Sequence, residues 1–240
     1  EHPHAAAVAP RLMKWDFSQA SHNLQSSFTD QIDALGLKVY RNRRVVEQYT
    51  QYAWSEVGQK LLANGPIQRV FGVSGAFPAF RRVAIKQILL PNGEMLDGSY
   101  HSYKEDVDLA FRLASAGFEA YILLNTVSYH DRSAAGPKEL ADLAAMGNKK
   151  TQSEWVRYHS YKNHLMTLYK NEYWQNFILD FPFIVWYELK KLIYFVLFDR
   201  KVLAGLKEIW KSKEQLKEKR DFIKNTRKLT WQEVRKLWSL

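Results

Sequence analysis

Cysteine is absent from this 240-residue chain. Its absence excludes a disulfide framework and any thiolate metal site, and it suits a reducing compartment. Internal repeats and low-complexity tracts are also missing. No stretch of about 20 apolar residues runs without a charge, as a membrane span would require. Acidic side chains are in the minority, 25 against 35 Lys and Arg, for a net charge of +10. What is plentiful is hydrophobic sequence, 46% of the residues, ample for a core. The length allows one or two domains.

The positive charge is uneven. Residues 1–150 hold 17 Lys and Arg against 15 Asp and Glu, and residues 151–240 hold 18 against 10. Within the nearly balanced first part, three acids crowd one segment, Tyr103-Lys104-Glu105-Asp106-Val107-Asp108-Leu109. Clustered carboxylates repel one another, and a fold often accepts that cost where a base or a cation site is needed. Leu109, Leu113 and Ala116 recur at helical spacing, with Phe111 and Ala114 beside them, so a packed helix is expected. Gly117 stands where a left-handed C-cap belongs. Glu105, Asp106 and Asp108 then occupy the first turn, at the positive end of the helix dipole. Asp108 and Arg112 form an i, i+4 pair with a structural role. Acids at this position also serve as ordinary caps, and that reading stays open here.

The neighbours of the acidic helix narrow the choice. Phe71-Gly72-Val73-Ser74-Gly75-Ala76 precedes it and leads to Arg81-Arg82. Glycines so spaced let a backbone turn tightly or approach a ligand. After the helix, Phe118 to Leu124 reads as a short buried strand, and Thr126-Val127-Ser128-Tyr129-His130 leads to a terminal histidine. This order resembles the second half of the catalytic domain in family 2 inverting glycosyltransferases of GT-A fold, closest to rhamnosyltransferase-like members. The shared features are Ser74-Gly75-Ala76 with Arg81-Arg82, Glu105-Asp106-Val107-Asp108-Leu109 with Arg112, and His130. Ala7 to Asp16 looks like the strand that follows the family's nucleotide-binding half, and Ile32 to Gly36 like a small connecting segment. Tyr161-Lys162-Asn163 and Lys170-Asn171 look like the family's Arg-Asn and Lys-Asn pattern, with Lys in place of the usual Arg.

The resemblance implies an α/β fold: an incomplete GT-A, Rossmann-like domain over residues 1–150, then a mainly helical region over 151–240. It implies transfer of a sugar from a nucleotide-sugar donor to a hydroxyl of a glycan or lipid-linked acceptor, with inversion. Asp106 would be the catalytic base. Ser74, Gly75, Ala76, Arg82 and Glu105 would contact substrate, and Asp108 would support the helix. His130 would be a ligand to a divalent cation, Mg or Mn, beside the diphosphate. The family's Asp-x-Asp motif does not precede the strand at Ala7 to Leu12, so the nucleotide-binding half is expected upstream of Glu1. His2 and His4 are treated as incidental. A glycoside hydrolase would need two carboxylates across the scissile bond. Adjacent Glu105 and Asp106 diverge from one turn and fit that poorly.

The last third reads as helices. Asn176 to Phe198 is apolar and aromatic but interrupted by Asp180, Glu188, Lys190 and Lys191. Central charges are costly in hydrocarbon, so an interfacial helix fits better than a span. Six of the eight Trp lie after residue 150, and Trp favours such boundaries. The stretch from Trp174 to Lys228 is therefore expected to dock on the cytoplasmic membrane face, the competing reading being a helix buried against the catalytic domain. Lys207 to Lys228 reads as one charged helix. No nucleic-acid-binding module is recognisable, so no nucleic-acid partner is expected. Ser133 to Pro137 reads as a surface loop, either a segment near the active site or a plain connector.

Overall fold

The computed structural model describes residues 2–21, 23–131 and 152–240. In chain order the first half contains β1 (Ala5–Trp15), α1 (Leu24–Ser27), β2 (Phe28–Ala34), β3 (Leu37–Val39), β4 (Val45–Glu47), α2 (Trp54–Leu62), β5 (Ile67–Val70), β6 (Ala79–Phe80), α3 (Arg82–Lys86), α4 (Glu105–Ser115) and β7 (Glu119–His130). The second half is helical: α5 (Glu154–Asn171), α6 (Trp174–Phe198), α7 (Ala204–Lys211), α8 (Lys213–Thr226) and α9 (Trp231–Leu237). The chain is thus α/β with a helical C-terminal region.

The main sheet is mixed, in the order β2-β1-β7-β5, with β6 also paired to β1. β1 is parallel to β7 and antiparallel to β2 and β6. Ala6, Ala7, Ala9, Leu12 and Met13 of β1 are all buried, as expected of a strand covered on both faces. β7 is one continuous strand, where the sequence suggested two pieces. The suggested break is a register irregularity: Pro10 pairs with Leu123, and the next pair is Arg11 with Val127. Residues 124–126 are accommodated as a bulge, which lets one strand carry both segments. Ile32 to Gly36 is a second departure. It ends sheet strand β2 and turns at Gly36, whose φ of +88° and close approach to Val70 admit no side chain.

Helix α4 is buried all round, between the sheet and the helical region. Leu109, Leu113 and Ala116 enter the sheet core, as their spacing predicted. Val107, Ala110, Phe111 and Ala114 face the β3–β4 hairpin and the Val234 and Trp238 side chains of α9. Each fully buried Leu contributes about 1.5–3 kcal/mol. Gly117 ends the helix with φ +82°. Its N–H donates to Ala114 O, and that of Phe118 to Leu113 O, each at 3.0 Å, the Schellman pattern. The segment read as one helix from Lys207 to Lys228 is broken at Ser212 into α7 and α8. Leu216 and Ile223 are buried, but Trp210 is exposed. The expected loop at Ser133 to Pro137 lies outside the described residues.

Helices α5 and α6 meet through buried charges. His164 Nε2 lies 2.8 Å from Glu188 Oε1, and Lys191 donates to the same carboxylate at 3.0 Å. Burial, helped by Lys191, pushes the His164 imidazole down to about 4 despite Glu188. Burial alone would raise Glu188, but His164 and Lys191 outweigh it and hold the carboxyl at about 2. His159 is also lowered, by burial and by Lys162. An imidazole that titrates near 6.5 when unfolded takes its proton there before the folded one does. Stability is therefore expected to fall as pH drops from about 6.5 towards 4, before most carboxylates respond. His164→Gln keeps a hydrogen bond to Glu188 and should shrink that early fall. The urea midpoint measured against pH checks this, and an unchanged fall in the variant would contradict it.

Candidate functional site

The acidic end of α4 opens the site. Glu105, Asp106 and Asp108 occupy the first turn, as expected, but they part company there. Asp106 Oδ2 accepts the Gly75 N–H at 3.1 Å, and Oδ1 accepts the Val107 N–H at 2.7 Å. The glycine turn and the acidic helix, 31 residues apart, are therefore in direct contact. The two glycines work differently. A Cβ on Gly72 would sit 2.4 Å from Ala110 Cβ, so Gly72 permits the close approach of the turn to α4. A Cβ on Gly75 would make only ordinary contact with Asp106, and it is the Gly75 N–H that is used. Ser74 is buried, Ala76 is partly covered, and Gly75 is exposed. Asp106 stands on a small, mainly apolar cleft between α4 and the sheet, whose wall includes Ala7, Phe80, Leu113 and Glu119.

Glu105 is half-buried, and its Oε2 has no hydrogen-bond partner. Burial raises its pKa, with a further push from Asp106 that its own backbone N–H opposes. The adjacent carboxyls therefore have different surroundings: Glu105 in a drier position, Asp106 held by two backbone donors.

Asp108 turns inward and is fully buried. Its Oδ2 accepts from Arg112 Nε at 3.0 Å, the pairing expected from sequence. Its Oδ1 accepts from Asn171 Nδ2 at 2.7 Å and from Lys170 Nζ at 3.0 Å. Lys170 also reaches Asp97 at 2.5 Å, and Lys219 reaches the other oxygen of Asp97 at 2.6 Å. Burial would raise both carboxyls, but Lys170 and its neighbours hold each below the usual carboxylate range. Lys170 and Asn171, singled out by resemblance alone, thus form the buried lock between α4 and α5.

The segment entering α4 is strained. His101, Tyr103 and Lys104 have φ of 61°, 68° and 70°, in the left-handed region that non-glycine residues rarely enter. Such strain persists only where the surroundings over-determine it. Buried Asn163 does so here: its Nδ2 lies 3.0, 2.7 and 2.7 Å from the carbonyls of Tyr100, Ser102 and Tyr103. Asn163→Ala would leave those carbonyls without their donor and should lower stability by about 1–3 kcal/mol. Asn163→Asp should be worse, because it sets a carboxylate oxygen against three carbonyl oxygens. Urea denaturation of both variants checks the order, and an aspartate variant as stable as wild type would refute it.

Two expected site residues, Arg82 and His130, are not among Asp106's hydrogen-bond partners. Arg82 is exposed at the start of α3, while its neighbour Arg81 donates to the carbonyl of Pro3 at 2.6 Å. His130 ends β7 opposite Lys14, and its Nδ1 is 3.0 Å from Oδ2 of buried Asp33. Nothing local in the sequence links Asp33 to His130, which are 97 residues apart. A carboxylate on one imidazole nitrogen is the arrangement that orients the other nitrogen for a ligand. Among the described residues, however, no group of three His, Cys, Asp or Glu side chains could together hold a metal ion. His130 would be a single ligand. His2 packs its ring on Tyr121, with centroids 4.5 Å apart.

Comparison with known protein families, with curated proteins and with solved structures finds no match to this chain.

Proposed function

We propose that this chain is the acceptor-side part of an inverting, nucleotide-sugar-dependent glycosyltransferase with a GT-A-like, Rossmann-related domain. The observation that carries the reading is the meeting of the glycine turn with Asp106 at the half-buried start of α4, through the 3.1 Å bond from Gly75. In the reaction, the acceptor hydroxyl oxygen bonds to the anomeric carbon while the bond from that carbon to the diphosphate oxygen breaks. The electron pair leaves with the diphosphate, and the hydroxyl proton passes to Asp106. Glu105, in its drier position, shapes the acceptor side of the pocket with the Ser74-Gly75-Ala76 turn, and Arg82 remains a substrate contact on resemblance alone. A divalent cation, Mg or Mn, would offset the charge of the leaving diphosphate when bound. The described residues supply only His130 towards it, so no step is assigned through it.

The donor is a nucleotide sugar, and the acceptor a hydroxyl of a growing surface glycan or glycolipid. Nucleotide release from a panel of nucleoside-diphosphate sugars, with the natural protein and a membrane extract as acceptor source, tests the reading. Acceptor-dependent release supports it. Release of free sugar from an oligosaccharide without a nucleotide donor would replace it with a hydrolase. A second reading is a non-catalytic module that binds a membrane surface. It is favoured by the exposed aromatic residues of α6, among them Trp174 and Trp186.

A further inference from the structure

Helix α6 turns much of its apolar surface outward. Its inner face mixes polar groups with buried Ile184 and Phe195. Asn176 and Asp180 are fully buried, with Asn176 donating to Trp231 O at 3.0 Å. Asp180 accepts from Arg43 at 2.9 Å, from Arg41 at 2.9 Å and from Arg235 at 2.6 Å. Farther along, Glu188 and Lys191 meet His164 on the same side. These ties fix the rotation of the helix about its own axis.

The outer face is apolar. Trp174, Ile178, Trp186 and Leu197 are each more than 60% exposed, and Val185, Leu189 and Ile193 are exposed between them. Laid out at about 100° per residue, these side chains cover an arc of roughly 140° that holds no charged residue. The helix has 25 residues, a length of about 37 Å. Among the described residues, no helix is long and apolar enough to cross a membrane. Cations border the apolar surface: Lys190 lies over the Trp186 ring at 5.8 Å, and Arg41 over Phe183 at 4.1 Å. On α7 and α8, Lys213 lies over exposed Trp210 at 4.8 Å.

We propose that α6 lies flat on an anionic lipid bilayer, with its Trp174–Leu197 arc in the interfacial layer and the bordering Lys and Arg among the headgroups. A wide uncharged arc edged by aromatic–cation pairs has the chemistry of that boundary. The basic excess of residues 151–240 complements anionic headgroups. A second copy fits less well. A paired-helix seam needs only two positions in seven, far less than this arc supplies.

Flotation of the purified chain with vesicles of phosphatidylcholine, with and without phosphatidylglycerol, decides the matter. Binding is expected with the anionic vesicles at low salt, partly retained at high salt because only the electrostatic part is screened. Ile178→Ser with Trp186→Ser changes two exposed side chains outside the core, and it should weaken binding at least tenfold with an unchanged circular dichroism spectrum. Absence of flotation with anionic vesicles at low salt would overturn the proposal, as would undiminished binding by the double variant. A dimer in solution that the same variant converts to monomer would assign the face to a second copy instead. No sugar donor enters the assay, so its outcome is separate from that of the transfer reading.

Discussion

Asp106→Asn should fold as wild type and lower sugar transfer about 100- to 10,000-fold, the usual effect of losing a general base. The fold should survive because the asparagine carbonyl can still accept the N–H of Gly75 or Val107, the two bonds that Asp106 now makes. What the amide cannot do is take a proton from an attacking hydroxyl. Glu105→Gln is the control. Its carboxyl has one oxygen with no hydrogen-bond partner and a raised pKa, so a loss of activity confined to Glu105→Gln would move the base to that residue. Nucleotide release, with thermal denaturation alongside, provides both readouts. Turnover by Asp106→Asn within about threefold of wild type would remove Asp106 from the base role.

The largest effect on stability is expected at Lys170. Its ammonium lies between two fully buried carboxylates, 2.5 Å from Asp97 and 3.0 Å from Asp108. Lys170→Met keeps most of the volume and deletes the charge. Breaking a buried ion pair on one side typically costs about 3–5 kcal/mol, because the stranded charge remains in low dielectric. Arg112 and Lys219 still neutralise part of it. The loss should depend on pH in a defined direction. Asp97 and Asp108 are held below their ordinary values when folded. Their contribution is present above the unfolded carboxylate value near 4, and it is lost as pH falls through the folded values. The difference between variant and wild type should be largest at neutral pH and shrink below about pH 4. Urea unfolding at several pH values measures it, and a pH-independent difference would point to packing rather than charge.

Local spacing made parts of this site legible. The first-turn acids, the Asp108–Arg112 pair, the apolar stripe of α4 and the Gly117 cap each depend on residues within one or two turns, and each is where the sequence placed it. The rest depends on contacts between distant segments. Asp33 meets His130 only because β2 and β7 flank β1. Asn163 reaches three carbonyls of a strained turn 60 or more residues earlier, and no helical period announces a buried amide. The charges within α6 were visible as interruptions of an apolar run. Their inward direction was not, because it is set by Arg41, Arg43 and Arg235 from two other elements. Ile32 to Gly36 misled because a short strand ending in glycine has the composition of a connector.

The parallel pairing of β1 with β7 has a consequence for how the molecule is made. Partners such as Ala5 and Glu119, or Lys14 and His130, are about 115 residues apart in the chain, so this pairing closes a very long loop. During synthesis β2 follows β1 directly and can pair with it at once, but the other edge of β1 must wait until β7 has been translated. Distant strand pairing is slow, and an unpaired edge is exposed to intermolecular pairing meanwhile. The alanines that let β1 sit at the centre of the finished sheet also make it a modestly apolar strand while that edge is open. Assembly of the sheet, and with it the setting of α4 against the glycine turn, is therefore a late event in folding, completed only after the acidic helix itself has left the ribosome.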